Sequence, residues 1–522
     1  MQNISPCQHL PQTHPGAIQT AQQLEHRSRK KRARDPVLAQ PLPELLGVPG
    51  APRRKFSLDE IRILSAALGN PHAKFPSILV AGTNGKGSTS ATLASIARAS
   101  GLRVGLYTSP HLARVNERIR LLQPGVSVDS QEFARASASA SEERLDGQSD
   151  IPDQTFADLY FRVLEAAKDQ VARGQLATLP SFFEHLTALA FLYFAEEQVD
   201  LAVLEVGMGG RLDATNLVDP ILSVITDISL DHQEWLGETI DLIAREKAGI
   251  LRPNGALVTL PQHPEANQAL GEVATELNVR GISAAQYTPQ IGVSSTAPYP
   301  MQVLGKEILV DSPLKGAHQH RNIALAVAAA VELAQSLSFP ITPAAVERGI
   351  QNTRWPGRLE RLERLTHPAS PEFIPEFILD VAHNPAGAWA LRSALNSANA
   401  GAPDLASETW EGTAPPSTVL IFACLRDKPL REMTQILFPI FDHVVLAPIH
   451  SPRATEVADL LAAAEATGVP STPSATVEEA IQIALALKPA KIVISGSVYL
   501  VGEARHILLA QQPEPAQEDQ VR

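Results

Sequence analysis

The stretch from Ser77 to Thr89 constrains the fold of this chain more than any other part of its sequence. It reads SILVAGTNGKGST, and a small-residue helical run continues from about Ser88 to Ser100. The apolar residues 78–81 are typical of a buried parallel strand. Glycines in the turn let the backbone approach a ligand, so that successive N–H groups and the positive helix end face phosphate oxygens. Strand, glycine loop and helix in this order predict a phosphate-binding loop.

The spacing of this loop differs from that of the common P-loop. Val80 stands where that pattern has a glycine, and Gly87 rather than a hydroxyl residue follows Lys86. The alternative is a glycine-rich turn with an incidental lysine, but the strand before it and the helix after it favour a divergent ATP-binding loop. In such a loop we expect Lys86 on the β- and γ-phosphates, and Ser88 or Thr89 to offer a hydroxyl to Mg²⁺.

Length, charge and cysteine content narrow the class of protein. A chain of 522 residues predicts two or three domains. A net charge of −12 argues against nucleic acid or an anionic membrane as the main partner, although it allows anionic small substrates. Cys7 and Cys424 cannot form a disulfide framework, which indicates a reducing compartment. No apolar run reaches the roughly 18 residues of a membrane span, and the start lacks a secretory apolar core, so a cytoplasmic enzyme is expected.

A second predicted strand ends in a candidate substrate loop. Residues 103–108 form this strand, and Ser109, Pro110 and His111 follow it. Loops at the carboxyl edge of an open α/β sheet are where such sheets bind ligands. The sequence therefore predicts that these three residues bind substrate.

Two further residues are candidates for a metal site. Glu205 closes the apolar strand 201–205, where a buried carboxylate requires a cation or a donor, and a metal ligand is favoured over a structural ion pair. The next strand, 221–228, leads to His232, which is either a second metal ligand or a cap of the next turn. Lys247 lies in a predicted helix and is, by itself, typical of a solvated helix lysine.

The order of elements predicts an α/β chain with two domains. We expect a P-loop-type nucleotide-binding domain with a parallel-rich sheet, followed by a second, smaller Rossmann-like α/β domain. The predicted parts are a disordered extension at 1–40, an ATP-binding central domain at 41–355, a C-terminal α/β domain at 356–511 and a disordered tail at 512–522. Two segments, 137–153 and 400–416, are predicted to be surface connections.

Seven motifs, in this order, resemble the folylpolyglutamate synthase and dihydrofolate synthase family of Mur-ligase-type amide ligases. The motifs are Gly82-Thr83-Asn84-Gly85-Lys86-Gly87-Ser88, Thr108-Ser109-Pro110-His111-Leu112, Glu205-Val206-Gly207-Met208-Gly209-Gly210-Arg211-Leu212-Asp213, Asp231-His232, Glu246-Lys247-Ala248-Gly249-Ile250, Trp355-Pro356-Gly357-Arg358 and Asp380-Val381-Ala382-His383-Asn384-Pro385. The resemblance covers about residues 40–510. The fold that it implies is that of a Mur ligase.

The resemblance also implies a reaction and its site residues. Members of this family use ATP to turn a folate carboxylate into an acyl phosphate, which the amino group of L-glutamate then displaces. The resemblance implies that one Mg²⁺ is held by Ser88 and Glu205, that a second is held by His232, and that Lys247 is carbamylated. The ATP-binding set that it implies is Thr83, Asn84, Gly85, Lys86, Gly87, Ser88, Thr89, Asn322, Arg358, Asp380 and His383, with the catalytic roles falling to Lys86, His232 and Lys247. A monomer that binds neither nucleic acid nor membrane is expected.

Two other functions are compatible with a nucleotide-binding loop of this kind. A cell-wall ligase of the same superfamily would add an amino acid to a nucleotide-sugar precursor, but the early ATP loop leaves no room for a folded nucleotide-sugar domain before it. A nucleotide-binding protein without ligase activity would hydrolyse ATP independently of folate and glutamate. Within the folate branch, the motifs do not separate enzymes that only extend the glutamate chain from those that also use dihydropteroate.

Overall fold

The computed structural model describes residues 57–124, 148–290, 297–362, 375–399 and 417–510. These parts of the chain form two α/β domains, joined by the segment between Gln351 and Glu360. The predicted extension 1–40, tail 512–522 and surface connection 400–416 lie outside the described residues. The domain boundary at 355 and 356 stays a prediction.

The first domain contains an eight-stranded sheet. Its strands are β1 Ser77–Ala81, β2 Val104–Tyr107, β3 Ile119–Leu122, β4 Gln148–Asp150, β5 Leu201–Glu205, β6 Leu222–Ile225, β7 Ala256–Thr259 and β8 Arg280–Ser283. They lie in the order β4-β3-β2-β5-β1-β6-β7-β8; pairing is parallel from β2 through β8 and antiparallel at the β3 and β4 edge. Because β1 and β5 are parallel neighbours, the phosphate loop after β1 and Glu205 at the end of β5 lie side by side at the same edge of the sheet.

Helices cover both faces of this sheet. They are α1 Asp59–Ala67, α2 Lys86–Ala99, α3 Asp153–Ala172, α4 Phe182–Glu196, α5 Gln233–Leu236, α6 Ile240–Ala248, α7 Pro264–Glu276, α8 Ala317–Ser336 and α9 Pro343–Gln351. Along β1, Leu79 and Ala81 enter one apolar core and Ile78 and Val80 enter the other, as the two-residue period of a strand requires. A small antiparallel hairpin, β9 Tyr299–Val303 and β10 Lys306–Val310, precedes α8.

One predicted surface connection is partly wrong. Within 137–153, the residues from Gln148 to Asp150 form β4 and α3 begins at Asp153; residues 137–147 lie outside the described part. The strand is held by backbone pairing with β3 and by an ion pair of 3.0 Å between Arg120 Nε and Asp150 Oδ1. The acidic and small residues of this segment are typical of a loop. Residues 148–150 form a strand because β3 pairs with them, and their own sequence pattern does not favour one.

The second domain contains a six-stranded sheet. Its strands are β11 Glu360–Leu362, β12 Glu376–Leu379, β13 Thr418–Phe422, β14 His443–Leu446, β15 Ser471–Pro473 and β16 Lys491–Ser495, and its helices are α10 Pro385–Asn399, α11 Leu430–Leu437, α12 Val457–Glu465, α13 Val477–Ala486 and α14 Val498–Ala510. The order is β11-β12-β16-β13-β14-β15, and all neighbours are parallel except the antiparallel β11. The predicted fold class, two α/β domains with parallel-rich sheets, is confirmed. None of the described helices is both long enough and apolar enough to cross a bilayer.

Candidate active site

The phosphate loop is a tight turn between β1 and α2. Gly85 occupies the N-cap position of α2 with a φ of +87°, a conformation that L side chains rarely adopt. A Cβ added to Gly85 would lie 2.1 Å from Asn322 Oδ1, so the loop also needs glycine for space. The helix begins at Lys86, earlier than the predicted Ser88, because the turn at Gly85 is complete there.

Hydrogen bonds fix this loop to the segment that follows β6. The backbone N–H groups of Thr83 and Asn84 donate to Asp227 O at 2.8 and 3.2 Å. Thr83 Oγ1 donates to Ser229 O at 3.1 Å, and Thr226 Oγ1 donates to Asn84 O at 2.7 Å. The loop is therefore held in place by the protein itself, which lowers the reorganisation needed when a phosphate binds.

Lys86 and Ser88 face the same cavity of about 410 Å³, whereas Thr89 does not. Lys86 Nζ donates to Gly82 O and Thr83 O, both at 3.2 Å, so the ammonium group lies over the loop. Thr89 is fully buried, and its hydroxyl donates to Asn322 O at 3.4 Å. Of the two predicted hydroxyl groups, the one that borders the cavity belongs to Ser88.

Glu205 lies beside the phosphate loop with little hydrogen bonding for a buried carboxylate. Its side chain is only 4% exposed, and among the described residues its Oε2 has one hydrogen-bond donor, Ser109 N at 3.2 Å. Burial raises the pKa of Glu205, while Lys86, the Ser109 N–H and Arg358 oppose that rise. A carboxylate with this environment suits a bound cation.

His232 borders two cavities and does not cap the helix that it precedes. It is at the N-cap position of α5 with a φ of +51°, but its side chain makes no capping hydrogen bond. Burial lowers its pKa to about 4, so the imidazole is neutral at neutral pH and a ring nitrogen can bind a metal. The capping interpretation is therefore wrong.

Glu205, His232 and Ser88 are too few to complete the coordination of Mg²⁺. They fit a magnesium site only if a bound ligand, such as a phosphate, supplies further oxygens. The described residues contain no group of three or more His, Cys, Asp or Glu side chains that could hold a metal. Mg²⁺ commonly takes one or two protein ligands and completes its shell with water and phosphate oxygens. Glu205, which accepts a single hydrogen bond from the part of the chain that the structure describes, is consistent with such a partly protein-bound ion.

Lys247 is buried and is not a solvated helix lysine. Its side chain lies in the last turn of α6 at 3% exposure, and Nζ donates to Gly82 O at 2.7 Å. Burial, followed by the positive charge of Lys86, lowers the pKa of Lys247 to about 7. The sequence-based interpretation failed because helical periodicity does not show that α6 packs onto the phosphate loop.

The second domain supplies the opposite wall of the phosphate cavity. Arg358, Asp380 and His383 line this wall, facing Asn322 of the first domain. The Asp380 carboxylate accepts backbone hydrogen bonds from Leu359 and Ala382, each at 2.9 Å, and burial raises its pKa. His383 Nδ1 donates to Val381 O at 2.8 Å, and burial lowers its pKa to about 4. Four of the predicted ATP-binding residues thus meet at one cavity from two domains.

A second cavity, of about 500 Å³, adjoins the first and has an aromatic lining. Ser109 and Pro110 border both cavities, as the predicted substrate loop requires. His111 borders neither; its Nδ1 accepts a hydrogen bond from Arg118 Nε at 2.9 Å, and it is Arg118 that lines the larger cavity. The aromatic side chains of this cavity are Phe183, Trp235 and Tyr499.

A buried ion pair between the domains was missed by sequence reasoning. Lys428 Nζ donates to Asp231 Oδ1 at 2.7 Å, and the two side chains are only 5% and 10% exposed. Asn384 Nδ2 donates to Asp231 Oδ2 at 3.2 Å and to Asn84 Oδ1 at 3.0 Å. Burial would raise the pKa of Asp231, but His232 and Lys428 together hold it below its usual range. The sequence around Lys428 does not indicate this contact, because its partner Asp231 is 197 residues away along the chain.

Replacing Lys428 with methionine is expected to destabilise the protein by about 3 kcal/mol, because it leaves the Asp231 carboxylate buried without its cation. Denaturant unfolding measures the loss, and small-angle scattering shows whether the two domains separate. Lys306→Met, at an exposed position of β10, is the control. Adding Asp231→Asn should recover part of the loss; if the double variant is as unstable as the sum of the singles, the pair does not act as proposed.

Comparison with known protein families and relatives agrees with these features. The Mur ligase middle domain family matches residues 154–330. The folylpolyglutamate synthase of Lacticaseibacillus casei is 35% identical over 470 residues, which cover 88% of this chain and 96% of the relative. The dihydrofolate synthase/folylpolyglutamate synthase of Bacillus subtilis is 32% identical over 460 residues, covering 86% of this chain and 94% of the relative.

Solved structures resemble this chain over nearly its whole length. Mycobacterium tuberculosis folylpolyglutamate synthase, complexed with ADP and AMPPCP, aligns with a TM-score of 0.73 at 29% identity and covers 95% of this chain and 100% of that one. E. coli FolC, in complex with DHPP and ADP, aligns with a TM-score of 0.70 at 25% identity, covering 95% of this chain and 98% of that one.

Proposed function

Because this chain belongs to the folylpolyglutamate synthase and dihydrofolate synthase family, we propose that it joins L-glutamate to the carboxylate of a folate in a reaction driven by ATP. The observation that carries the proposal is the wall shared by the two cavities, which includes Ser109, His232 and His383. On one side of this wall is a phosphate loop with Lys86, and on the other an aromatic-lined cavity. A carboxylate at the shared wall would reach a phosphoryl group in the loop.

The reaction proceeds in two displacements. A folate carboxylate oxygen attacks the γ-phosphorus of ATP, the bond to ADP breaks, and an acyl phosphate forms. The amino nitrogen of glutamate then attacks the acyl carbon, phosphate leaves, and the amine gives up a proton as the amide forms. The protein contributes alignment and charge: Lys86 and the loop N–H groups stabilise the negative charge on the phosphate oxygens.

Two Mg²⁺ ions are part of the proposal. Ser88 and Glu205 would hold one ion, and His232 would take part in holding the other. Bound there, Mg²⁺ would neutralise charge on the phosphate oxygens. This assignment is supported by the buried Glu205 carboxylate, which has one hydrogen-bond donor within the described ranges, and by the neutral His232 ring.

Both domains are proposed to clamp ATP. Asn322 comes from the first domain, and Arg358, Asp380 and His383 come from the segments that begin the second. These groups already line one cavity, and closure of the domains around ATP would exclude water, which otherwise hydrolyses an acyl phosphate. We also propose that the enzyme acts as a monomer in the cytoplasm, which light scattering of the purified protein and localisation in cells can test.

We also propose that Lys247 is carbamylated, and we therefore expect the activity to depend on pH and on carbon dioxide. The neutral amine attacks CO₂ and loses a proton to give an anionic carbamate. Since burial lowers the pKa of Lys247 to about 7, the neutral fraction rises from about a tenth near pH 6 to about nine tenths near pH 8. Carbamylation should therefore increase across this range. ¹³C NMR with labelled bicarbonate measures it.

Lys247→Arg is the control for this measurement, because its guanidinium stays charged and cannot be carbamylated. The labelled carbamate signal should be present in the wild type and absent from the variant. Equal spectra for the two proteins would remove Lys247 as the modified residue.

The function is tested by ADP release with Mg²⁺-ATP and glutamate, using tetrahydrofolate and dihydropteroate as separate acceptors. We expect release with both acceptors, since the Bacillus subtilis relative carries both synthase names. Release with tetrahydrofolate alone would limit the enzyme to chain extension. ATP binding without acceptor-dependent release would overturn the ligase proposal.

A further inference from the structure

We propose that Arg118 binds a substrate carboxylate other than the one that is phosphorylated, an inference that rests on the proposed function. Arg118 ends the 3₁₀ turn Val115–Arg118 and borders the larger cavity but not the phosphate cavity. Among the described residues, its guanidinium forms no ion pair with a carboxylate. A cation enclosed in protein without an anion beside it is costly, so an anionic ligand is the expected partner.

The pairing of β2 with β3 places Arg118 beside the wall that the two cavities share. Thr108 N donates to Arg118 O at 2.9 Å, so Arg118 lies opposite the residue that precedes Ser109. Ser109 borders both cavities, and its N–H donates to Glu205 at 3.2 Å. Arg118 is also among the positive charges that oppose the rise in the pKa of Glu205. Its charge therefore reaches the wall where the reacting carboxylate is proposed to lie.

The guanidinium of Arg118 is held in place by two neighbours that do not neutralise it. Its Nε donates to His111 Nδ1 at 2.9 Å, and its Cζ lies 5.8 Å from the centroid of the Phe182 ring. Burial, followed by the charge of Arg118, lowers the pKa of His111 to about 3, so this imidazole is neutral. Within the described ranges, Nη1 and Nη2 have no hydrogen bond to the protein. These two nitrogens can donate side by side to one carboxylate.

The other arginines and lysines that line the larger cavity each have a carboxylate partner. The pairs are Arg211 with Glu246 at 2.8 Å, Lys428 with Asp231 at 2.7 Å and Arg453 with Asp427 at 2.6 Å. The carboxylate next to Arg118 in the chain, Glu117, instead accepts from the backbone N–H groups of residues 112–114 at 2.7 to 3.0 Å. Burial lowers the pKa of Arg118, and the acidic groups around it oppose this only in part. Among the described cations of this cavity, Arg118 is thus the guanidinium left for a ligand.

Two substrates of the proposed reaction bring a suitable carboxylate to the shared wall. The glutamate end of a folate carries two carboxylates, of which one is phosphorylated and the other keeps its charge. The incoming L-glutamate carries two carboxylates beside the amine that attacks the acyl phosphate. Dihydropteroate has no carboxylate besides the reacting one, so a comparison of acceptors separates the two sources.

The test measures kcat and the KM of each substrate for wild type and Arg118→Gln. We expect one KM to rise by about tenfold to a hundredfold while the KM for ATP is unchanged. If Arg118 binds the incoming amino acid, the KM for glutamate rises with either acceptor. If it binds the folate, the KM for tetrahydrofolate rises and the affinity for dihydropteroate, measured as a substrate or as a competitive inhibitor, does not. Arg118→Lys should recover part of the loss, because it keeps the charge without the paired donors.

Arg114→Gln is the matched control, because Arg114 lies four residues earlier, pairs with Asp153 and borders neither cavity. Its KM values should equal those of the wild type. Without substrates, Arg118→Gln should unfold at the same temperature as the wild type or a higher one, since no described carboxylate loses a partner.

Three results would overturn this inference alone. They are unchanged KM values in Arg118→Gln, a loss confined to kcat, and an equal loss of affinity for tetrahydrofolate and dihydropteroate, which would assign Arg118 to the reacting carboxylate. A wild type that is inactive with every acceptor would instead overturn the proposed function, on which the inference rests.

Discussion

Replacing Lys86 with alanine is expected to reduce ATP-dependent glutamate ligation by about a thousandfold or more while the fold stays intact. The Lys86 ammonium is proposed to neutralise charge that develops on the transferred phosphoryl group, and removing one such donor commonly costs a factor of a hundred to a thousand or so. Among the described residues, Lys86 makes two hydrogen bonds of 3.2 Å to loop carbonyls, and its charge favours the ionised Glu205 carboxylate but disfavours a charged Lys247. Because these two charge effects oppose each other, the free energy of unfolding should change by less than about 1 kcal/mol.

Steady-state ADP release and denaturant unfolding measure the two parts of this prediction. Lys74→Ala, at an exposed position just before β1, is the matched control and should retain full activity. Lys86→Arg should not restore turnover, because the planar guanidinium cannot occupy the position of a compact ammonium group in the loop. Normal turnover in Lys86→Ala would show that the glycine loop does not cradle the transferred phosphate.

The sheet framework of both domains could be predicted because its signals are local. Buried parallel strands such as β1 and β16 are short apolar runs, and polar residues mark the ends where ligands bind. The phosphate loop could be predicted for the same reason, since its glycines are required by backbone geometry at Gly85. Short edge strands are different: β4 is held mainly by its neighbour, and its own residues do not indicate a strand.

The parts of the site that could not be predicted depend on contacts between distant segments. Lys428 is buried because Asp231 of the other domain lies 2.7 Å away, and no pattern near Lys428 indicates this. Lys247 looks like a surface lysine until α6 is placed against Gly82.

Replacing Glu205 with glutamine is expected to reduce turnover with Mg²⁺-ATP by about a thousandfold and to make the ligand-free protein more stable. An amide is a poor ligand for Mg²⁺, so the charge supplied to the phosphate site falls. Burial raises the pKa of Glu205, which means that the folded protein holds this proton more tightly than the unfolded chain. Stability therefore falls as the pH rises above the usual carboxyl pKa, and at neutral pH the ionised Glu205 destabilises the folded state.

Thermal unfolding with and without Mg²⁺ and ADP separates these two effects. The unfolding temperature of the wild type should rise when both ligands are added, since they bind the folded state alone. Without ligands, Glu205→Gln should unfold at a higher temperature than the wild type, and the ligands should raise that temperature much less. Glu276→Gln, at an exposed position, should behave as the wild type in both conditions. If Glu205→Gln turns over normally, Glu205 is a structural acceptor for Ser109 and the metal site lies elsewhere. A variant that is inactive yet more stable would instead mean that the buried carboxylate is kept for the reaction at a cost to the fold.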